Sequence, residues 1–340
     1  MANKTTNYGL TKPLPEEFYD INVHNENMDI VDEELKKVSD AAASGKRTVR
    51  LTVGTSDAGW TADQCDYLCD GDADDVEINA AIAALPSTGG ELVLLDGSYD
   101  ITAPININKN YVVLHGNGHK TKLYRGFDGD RLIYVSGNYA VIEDLSINGM
   151  SYSYTSTSNK GIYTLTSNTV VRNCTIEQEA GEGIHIAEGK AKVIGNTVLY
   201  CGTGIYVDDN ENVVSDNIVL ECTAYGIRVC DDYNVVTGNV SRLNATANLQ
   251  LYYAEYCTIT GNNFAVVSGD SVTPTYAIYL YSSYNNYNIV TDNQVGSGTI
   301  NNGGGTGNVV SNTPVITDGT TDLTAGSSAL ATGATHFVYE

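Results

Sequence analysis

The sequence predicts an all-β solenoid, a single-stranded parallel β-helix, on three observations. The first is a set of seven asparagines with gaps of 23, 21, 22, 23, 31 and 19 residues: Asn173, Asn196, Asn217, Asn239, Asn262, Asn293 and Asn312. The second is a β-branched pair ahead of each asparagine, with a glycine marker recurring in phase at Gly161, Gly183, Gly204 and Gly226. The third is the lack of any helical pattern between these markers. Such periods of short β-branched runs and Asn/Gly turns are typical of β-helix coils.

Alternation within each repeat predicts which side chains point inward. In residues 204–208, apolar Ile205 and Val207 alternate with Tyr206 and Asp208, so the two sets face opposite sides of the strand. Coils stacked about 4.8 Å apart would align equivalent positions in columns. The inward column, expected to be core, reads Ile162, Ile184, Ile205, Ile227, Leu249 and Ile278. The outward column, a candidate binding face, reads Tyr163, His185, Tyr206, Arg228, Gln250 and Tyr279.

Composition narrows the classes of partner. A net charge of −23 with only 18 lysines and arginines argues against binding to nucleic acid or to a membrane surface. The first residues lack the apolar core of a secretory signal, and no apolar run is long enough to span a membrane, so we expect neither signal-directed export nor membrane insertion. The seven cysteines are expected to be reduced, with Cys201 and Cys222 as small buried thiols in successive coils.

Two helical patterns precede the repeats. Apolar residues at three-four spacing form about three heptads, with His24 in the one missing place: Ile21, Met28, Val31, Leu35, Val38 and Ala42. This pattern predicts either a coiled coil of several parallel chains or an amphipathic helix packed on the body. Residues 74–85 predict a second helix, with acids in its first turn and apolar residues on one face. It would cover the open end of the solenoid, where backbone groups are unpaired and the bore is apolar.

These patterns divide the chain into four parts. Residues 1–45 are expected to form an N-terminal segment with a helix, and residues 46–110 a cap with the amphipathic helix and the first strands. Residues 111–315 form the parallel β-helix, and residues 316–340 form an irregular C-terminal cap.

Several motifs carry a family resemblance. The run Asp-Gly-x-Ala-Asp-Asp-Val-Glu-Ile-Asn-Ala-Ala-Ile from residue 70, then Leu-Pro-x-x-Gly-Gly and Leu-x-Leu-x-x-Gly-x-Tyr, resembles the N-terminal cap of pectate-lyase-like right-handed β-helix proteins. The sequence Gly-Asn-Gly-His at residues 116–119 is similar to that group as well. Residues 7–13, 25–29 and 323–333 resemble segments of phage and prophage tail proteins. The cap motif is specific for fold and says little about activity.

The resemblance implies a phage or prophage tail spike or tail fibre. Such proteins are usually homotrimers whose N-terminus docks on other tail or baseplate proteins, and whose β-helix meets a bacterial surface polysaccharide. The particle would be assembled in the bacterial cytoplasm and released by lysis, which agrees with reduced cysteines and with a start that lacks a signal. A non-viral adhesin is a further interpretation.

Carboxylates gather where the outward column ends. Five residues after each glycine marker stand Glu188, Asp209 and Asp231, in three successive coils. Adjacent coils would hold carboxylates about 5 Å apart and alternate coils about twice that, which suits retaining or inverting glycoside hydrolysis respectively. A polysaccharide lyase is the weaker alternative, with Arg228 near a Ca²⁺ held by the acids. Asp is also a favoured turn residue because it hydrogen-bonds local backbone, so the column is also explained without catalysis.

The outward column also suits sugar recognition. Aromatic faces stack on the C–H surfaces of pyranoses, while Arg and His donate to hydroxyls. The predicted glycan-binding residues are Tyr163, His185, Tyr206, Asp208, Arg228, Tyr252 and Tyr279. Outward Tyr is also an ordinary strand residue, and in a trimer this face could lie between subunits. Recognition of a polysaccharide and its depolymerisation both stay open; no metal site and no cofactor is predicted apart from Ca²⁺ under the lyase alternative.

Overall fold

The computed structural model describes residues 3–4, 11–12, 27–35, 37 and 49–311. The chain forms two units, Met1–Thr48 and Val49–Glu340. In the first unit, Asn3–Lys4 pairs antiparallel with Thr11–Lys12, and residues 27–35 and 37 are helical. The helix exposes its apolar residues Met28, Val31 and Leu35. The coiled coil stays a prediction, because the heptad positions 21, 24, 38 and 42 lie outside the described residues, as do residues 316–340.

The second unit is built from three parallel sheets. Sheet A has nine strands, in order Ile105–Ile107, Arg131–Val135, Lys160–Thr164, Glu182–Ile186, Thr203–Asp208, Tyr225–Cys230, Ala247–Tyr252, Tyr276–Leu280 and Ile300–Asn301. Sheet B has twelve, in order Tyr67–Cys69, Arg50–Thr55, Gly90–Leu94, Val112–His115, Val141–Glu143, Val170–Arg172, Lys192–Ile194, Val213–Ser215, Val235–Thr237, Thr258–Thr260, Ile289–Thr291 and Val309–Ser311. Sheet C has nine, in order Gly97–Ile101, Thr121–Arg125, Ser146–Asn148, Thr175–Glu177, Thr197–Leu199, Ile218–Leu220, Val240–Arg242, Asn263–Val266 and Gln294–Gly296.

Each coil contributes one strand to sheets B, C and A in turn, which confirms the predicted β-helix. The first complete coil is residues 90–107, so parallel stacking already begins within the segment assigned to the N-terminal cap. Parallel strands joined in this way require crossovers of one hand, and the right-handed connection is the rule. No helix among the described residues combines the length and the apolar character needed to cross a membrane.

The bore is filled by columns of branched apolar side chains. The predicted inward column lies in register on sheet A, where Ile133, Ile162, Ile184, Ile205, Ile227, Leu249 and Ile278 pair in succession. All seven are fully buried. Because one residue of each coil stacks on its equivalent in the next, the apolar period of the sequence becomes a continuous core.

The turn between sheets B and C holds a buried asparagine ladder. Side-chain amides of consecutive coils bond at 2.9–3.0 Å through Asn196, Asn217, Asn239, Asn262 and Asn293. The expected start at Asn173 is wrong by one residue: Asn173 is exposed, and the N–H of Cys174, which occupies the ladder position, donates to Asn196 Oδ1. A left-handed backbone at Asn173, with φ 54°, favours Asn there and explains the false match. Asn312 lies outside the described residues.

The turn between sheets C and A buries Cys201 and Cys222 at equivalent places, as predicted, and both thiols are free. One coil earlier the same place holds Glu179, whose side chain is fully buried against that of Arg125. Arg125 Nε and the terminal nitrogen Nη2 donate to Glu179 Oε1 over 3.2 and 3.0 Å. A buried, hydrogen-bonded Arg–Glu pair therefore replaces a thiol in this column.

The capping helix spans Asp75–Ala84 and buries Ile78, Ala81 and Ile82, as the sequence predicts. Asp74 fixes its start, because its carboxylate accepts from the N–H groups of Gly71 and Asp100. Two short 3₁₀ turns complete the described elements, Ser56–Ala58 and Gly118–Lys120.

Candidate functional site

The predicted outward column lies on the outer face of sheet A. Strand pairing sets its members in consecutive register: Asn106, Tyr134, Tyr163, His185, Tyr206, Arg228, Gln250, Tyr279 and Asn301. Every predicted member of the column is therefore adjacent to the next. Two residues further along each strand a parallel column begins, in which Asp208, Cys230 and Tyr252 pair in turn.

The N-terminal half of this face combines stacked rings with paired charges. The rings of Tyr134 and Tyr163 stack with centres 5.9 Å apart, and the guanidinium of Arg131 lies 4.4 and 5.0 Å from their centres. Lys160 Nζ lies 2.6 Å from Glu182 Oε2. Burial would raise the pKa of Glu182, but hydrogen bonds with His185 and Lys160 hold it below its ordinary value. The charges here are satisfied within the protein.

His185 and Tyr206 form the middle of the face. Their ring centres lie 4.5 Å apart, and the edge of His185 meets Tyr163 at 4.9 Å. His185 Nδ1 lies 2.9 Å from Glu182 Oε2, whereas its buried Nε2 makes no hydrogen bond. The Tyr206 hydroxyl donates to Asp208 Oδ1 over 2.9 Å and accepts from the Cys230 thiol. Burial, together with these two neighbours, raises the pKa of Tyr206, so its phenol stays protonated.

Arg228 is held by aromatic rings instead of by an acid. Its guanidinium carbon lies 5.1, 5.5 and 4.5 Å from the ring centres of Tyr206, Tyr225 and Tyr252. Within residues 49–311 every other arginine pairs with a carboxylate: Arg50, Arg125, Arg131, Arg172 and Arg242. Arg228 has no such pair, its buried Nε has no hydrogen-bond partner, and neither has Oε1 of the neighbouring Gln250. This is the part of the face with unused hydrogen-bonding capacity.

A cluster of tyrosines covers the C-terminal half of sheet A and extends past its edge. Ring centres lie 4.4 Å apart for Tyr252 and Tyr253, 4.8 Å for Tyr252 and Tyr281, 5.6 Å for Tyr253 and Tyr284, and 5.6 Å for Tyr279 and Tyr281. For the outer face of sheet A and its edge, the sequence predicted Tyr252 and Tyr279. It did not predict Tyr134, Tyr225, Tyr253 and Tyr281. Counting two residues on from Tyr279 finds Tyr281, because alternate residues of a strand share a face. Tyr225 stands three residues before Arg228, so this count does not find it.

The three candidate catalytic acids stand at equivalent places in the turn after sheet A. Asp209 and Asp231 each follow a paired position, Asp208 and Cys230, and Glu188 is two residues beyond Ile186, which pairs with Val207. Asp209 Oδ1 accepts from the N–H of Asn210, as expected of a turn residue. Partial burial, and then repulsion from Asp209, Asp232 and Asp208, raises the pKa of Asp231.

A groove of about 610 Å³ lies at the N-terminal end of the same face. It is lined by Asn79 and Ala83 of the capping helix, by Asn106 and Tyr134 of the outward column, and by Lys109. Lys109 Nζ donates to the carbonyls of Ala83 and Leu85 at the end of that helix. The outward column therefore begins in a polar groove and ends in the tyrosine cluster.

Two clusters of metal-ligating side chains occur among the described residues. Cys69, Asp74 and Glu77 form the first, but burial raises the pKa of the Cys69 thiol, and both oxygens of the Asp74 carboxylate already accept from the N–H groups of Gly71 and Asp100. His115, Glu143 and Asp144 form the second, on the outside of sheet B. His115 Nδ1 lies 3.1 Å from Glu143 Oε1, while Arg172 bonds to the other oxygen of Glu143.

Comparison with protein families identifies a match. The family described as periplasmic copper-binding protein (NosD) matches residues 134–313, just over half of the chain. The chain belongs to the NosD family. Comparison with curated protein sequences gives no significant match.

Among the solved structures similar to this NosD-family chain, a viral protein shows the same fold. The ORF18 protein of Geobacillus virus E2 is 15% identical, with a TM-score of 0.56 over 89% of this chain. This chain spans 65% of the length of that viral protein. Pectate lyase Pel9A is 15% identical, with a TM-score of 0.46 over 80% of this chain and 78% of the lyase. Dettilon tailspike protein (gp208) is 16% identical, with a TM-score of 0.41 over 72% of this chain and 59% of the tailspike.

Proposed function

We propose that the outer face of sheet A binds a bacterial surface polysaccharide, and that the chain is a receptor-binding tail spike or fibre of a phage or prophage particle. The observation that carries the proposal is Arg228, which three tyrosine rings hold in place and which pairs with no carboxylate within residues 49–311. Aromatic rings with free donors between them match the alternating C–H and hydroxyl surfaces of a sugar chain.

The predicted residues take separate roles in this proposal. Tyr163, Tyr206, Tyr252 and Tyr279 offer apolar ring surface, and Tyr253 and Tyr281 extend it. Arg228 meets hydroxyls, His185 packs between the rings of Tyr163 and Tyr206, and Asp208 orients the Tyr206 hydroxyl. The column repeats once per coil, so a polysaccharide running along the rod would meet similar groups at successive sugars.

Purified surface polysaccharides immobilised on an array test the proposal. Wild-type protein should be retained by at least one of them, and Arg228→Met should weaken that binding about tenfold or more, because a charge-assisted hydrogen bond contributes about 1.5–3 kcal/mol. Lys122→Met, which removes a cation from the outside of sheet C, serves as the control. Equal binding by Arg228→Met and wild type would show that the outer face of sheet A is not the polysaccharide-binding surface.

Depolymerisation is the second candidate, and the raised pKa of Asp231 favours it. A carboxyl group that holds its proton longer than usual beside an ionised partner is the arrangement used by glycoside hydrolases, here with Asp231 as acid and Asp209 or Glu188 as its partner. New reducing ends without unsaturated uronates would indicate a hydrolase, and new reducing ends together with unsaturated uronates a lyase that uses Arg228 and Ca²⁺. Turnover that survives Asp209→Asn together with Asp231→Asn would refute the hydrolase assignment.

The copper binding named by the family does not fit the residues described. The second cluster offers one imidazole, but a cation there would have to face or displace Arg172. The buried thiols are poor ligands, because burial raises the pKa of Cys174, Cys222 and Cys257 to about 12. We therefore assign no copper to the two clusters of the described residues.

Assembly as a homotrimer on other tail or baseplate proteins, within a particle released by lysis, belongs to the same proposal. The exposed apolar residues Met28, Val31 and Leu35 of the N-terminal helix support it, since they repeat at heptad spacing. Light scattering should give three times the chain mass for the full chain. A chain lacking the residues before 45 should give a lower multiple; an unchanged mass would show that this helix is not the assembly element.

A further inference from the structure

The turn between sheets A and B contains a column of residues in left-handed backbone. Two residues before Glu91, Val113, Val141 and their register partners in sheet B, ten consecutive coils place a residue with φ between 54° and 88°: Gly89, Tyr111, Tyr139, Asn168, Lys190, Glu211, Tyr233, Tyr256, Tyr287 and Gly307. Glycine and asparagine adopt this conformation readily, whereas a bulky side chain is strained in it. Half of the column is nevertheless tyrosine, so the backbone does not explain its composition.

The five tyrosines form two stacks on the surface, here called the tyrosine edge: Tyr111, Tyr139, Tyr233, Tyr256 and Tyr287. Ring centres lie 5.0 Å apart at 5° in the first stack, and 5.2 Å at 8° and 5.1 Å at 12° in the second. Each residue is still 46–56% exposed. Parallel stacking covers the ring faces, so the exposed parts are the ring edges and the hydroxyls.

The hydroxyls of the tyrosine edge are unused. None of the five hydroxyls is hydrogen-bonded within the described chain, and all five residues are exposed. An apolar partner such as a lipid surface would leave these hydroxyls without hydrogen bonds, which is unfavourable. A partner that carries its own hydroxyls would satisfy them.

The charges around the tyrosine edge exclude further classes of partner. Between the two stacks stand Asn168, Lys190 and Glu211, and the Lys190 ammonium lies 3.6 Å from Glu211 Oε2, so its charge is already compensated. Burial raises the pKa of Tyr256, and the neighbouring Tyr287 raises it further. The acids Glu255 and Asp232, which lie beside the second stack, act in the same direction because they disfavour a negative charge on the phenol. A second copy of this chain, or any polyanion, would bring like charges together here, since the net charge is −23.

The length of the edge selects an extended ligand. Tyr111 and Tyr287 are the first and last of eight consecutive coils. At a spacing of about 4.8 Å between coils, they lie about 34 Å apart. We propose that the tyrosine edge, with the three polar residues between its stacks, is a second carbohydrate-binding surface for a neutral polysaccharide running parallel to the rod. It lies round the corner from sheet A and rests on the proposed function only for the class of ligand.

The same polysaccharide array tests the proposal with variants that keep the backbone relaxed. Tyr233, Tyr256 and Tyr287 are changed together to Asn, which tolerates a left-handed conformation. Tyr200→Asn is the matched control, because Tyr200 is also left-handed and half exposed, at φ 56°, but lies in the turn after sheet C without a ring partner. We expect the triple variant to lose at least tenfold in apparent affinity for neutral polysaccharides that the wild type retains, and Tyr200→Asn to bind like the wild type.

The other possible results of the array distinguish the tyrosine edge from sheet A. Triple-variant binding within twofold of wild type overturns the proposal, and if Arg228→Met alone then abolishes binding, the function proposed for sheet A still stands. Loss in the triple variant alone supports the tyrosine edge and excludes sheet A. Retention by no polysaccharide overturns both.

Tyrosine nitration of the wild type covers the case in which the triple variant does not fold. Bound polysaccharide should protect Tyr233, Tyr256 and Tyr287 at least threefold, as read by peptide mass spectrometry, and leave Tyr200 unprotected. Equal nitration of all four with and without polysaccharide overturns the proposal.

Discussion

Replacing Asn217 by Ala should remove one rung of the buried asparagine ladder. Asn217 is fully buried, its Oδ1 accepts from the backbone and side chain of Asn196, and its Nδ2 donates to Val193 O and Asn239 Oδ1. The Asn196 backbone N–H has no other partner, and a buried orphaned donor costs about 1–3 kcal/mol. Three further bonds are lost whose partners keep another bond, at about 0.5–1 kcal/mol each. We expect a loss of about 4 kcal/mol in the free energy of unfolding.

Urea unfolding followed by far-UV circular dichroism measures this loss. Asn173→Gly is the control, because Asn173 lies one residue out of the ladder and glycine keeps its left-handed backbone. The control should lie within about 0.5 kcal/mol of the wild type. A loss below about 1 kcal/mol for Asn217→Ala, with unchanged urea dependence, would refute the claim that the ladder stabilises the coils.

Three further predictions concern the core. Gly204→Ala should lower the free energy of unfolding by about 1–3 kcal/mol, seen in the same urea assay, because the new Cβ would lie 2.3 Å from Val219 Cγ1; an unchanged midpoint would contradict the packing. In the native protein Ellman's reagent should react quickly with Cys65 alone, since the other six thiols are buried; a second fast thiol would contradict it. Burial outweighs Arg125 and raises the pKa of Glu179 to about 7 from 4.5, so its contribution is complete below pH 4.5 and is lost as pH rises through 7. Relative to Glu179→Gln, the free energy of unfolding of the wild type should therefore fall by about 3 kcal/mol between pH 4.5 and 8, as measured by urea titrations. If the difference in free energy between the two proteins does not change with pH, the pKa of Glu179 is not raised.

The fold was predictable because solenoid repeats are local. A period near 22 residues and a two-residue alternation are enough to place Ile205 in the bore and Tyr206 outside, and strand pairing then sets both columns. The off-phase Asn173 shows the limit of spacing alone. Asparagine is favoured both in a buried ladder and in a left-handed turn, and only the pairing of Arg172 with Ile194 separates the two.

The candidate site was predictable only on the strands, where the alternation of inward and outward residues indicates which side chains lie on the outer face. The outward column follows from the strand period, but the ring cage around Arg228 also needs Tyr225, which the repeat markers do not single out. The tyrosine edge lies in turns, where the sequence gives no alternation, and its coils differ in length by up to ten residues. Aligning the chain on the β-branched pairs of sheet B would have brought Tyr233, Tyr256 and Tyr287 into one column.

The most direct test of the proposed binding face is a structure of the full chain with an oligosaccharide from a polysaccharide that it retains. The account predicts a sugar ring against Tyr206 or Tyr252, with a hydroxyl within hydrogen-bond distance of the Arg228 guanidinium. A sugar chain bound only along sheet C or sheet B, with the Arg228 cage unchanged and empty, would contradict it.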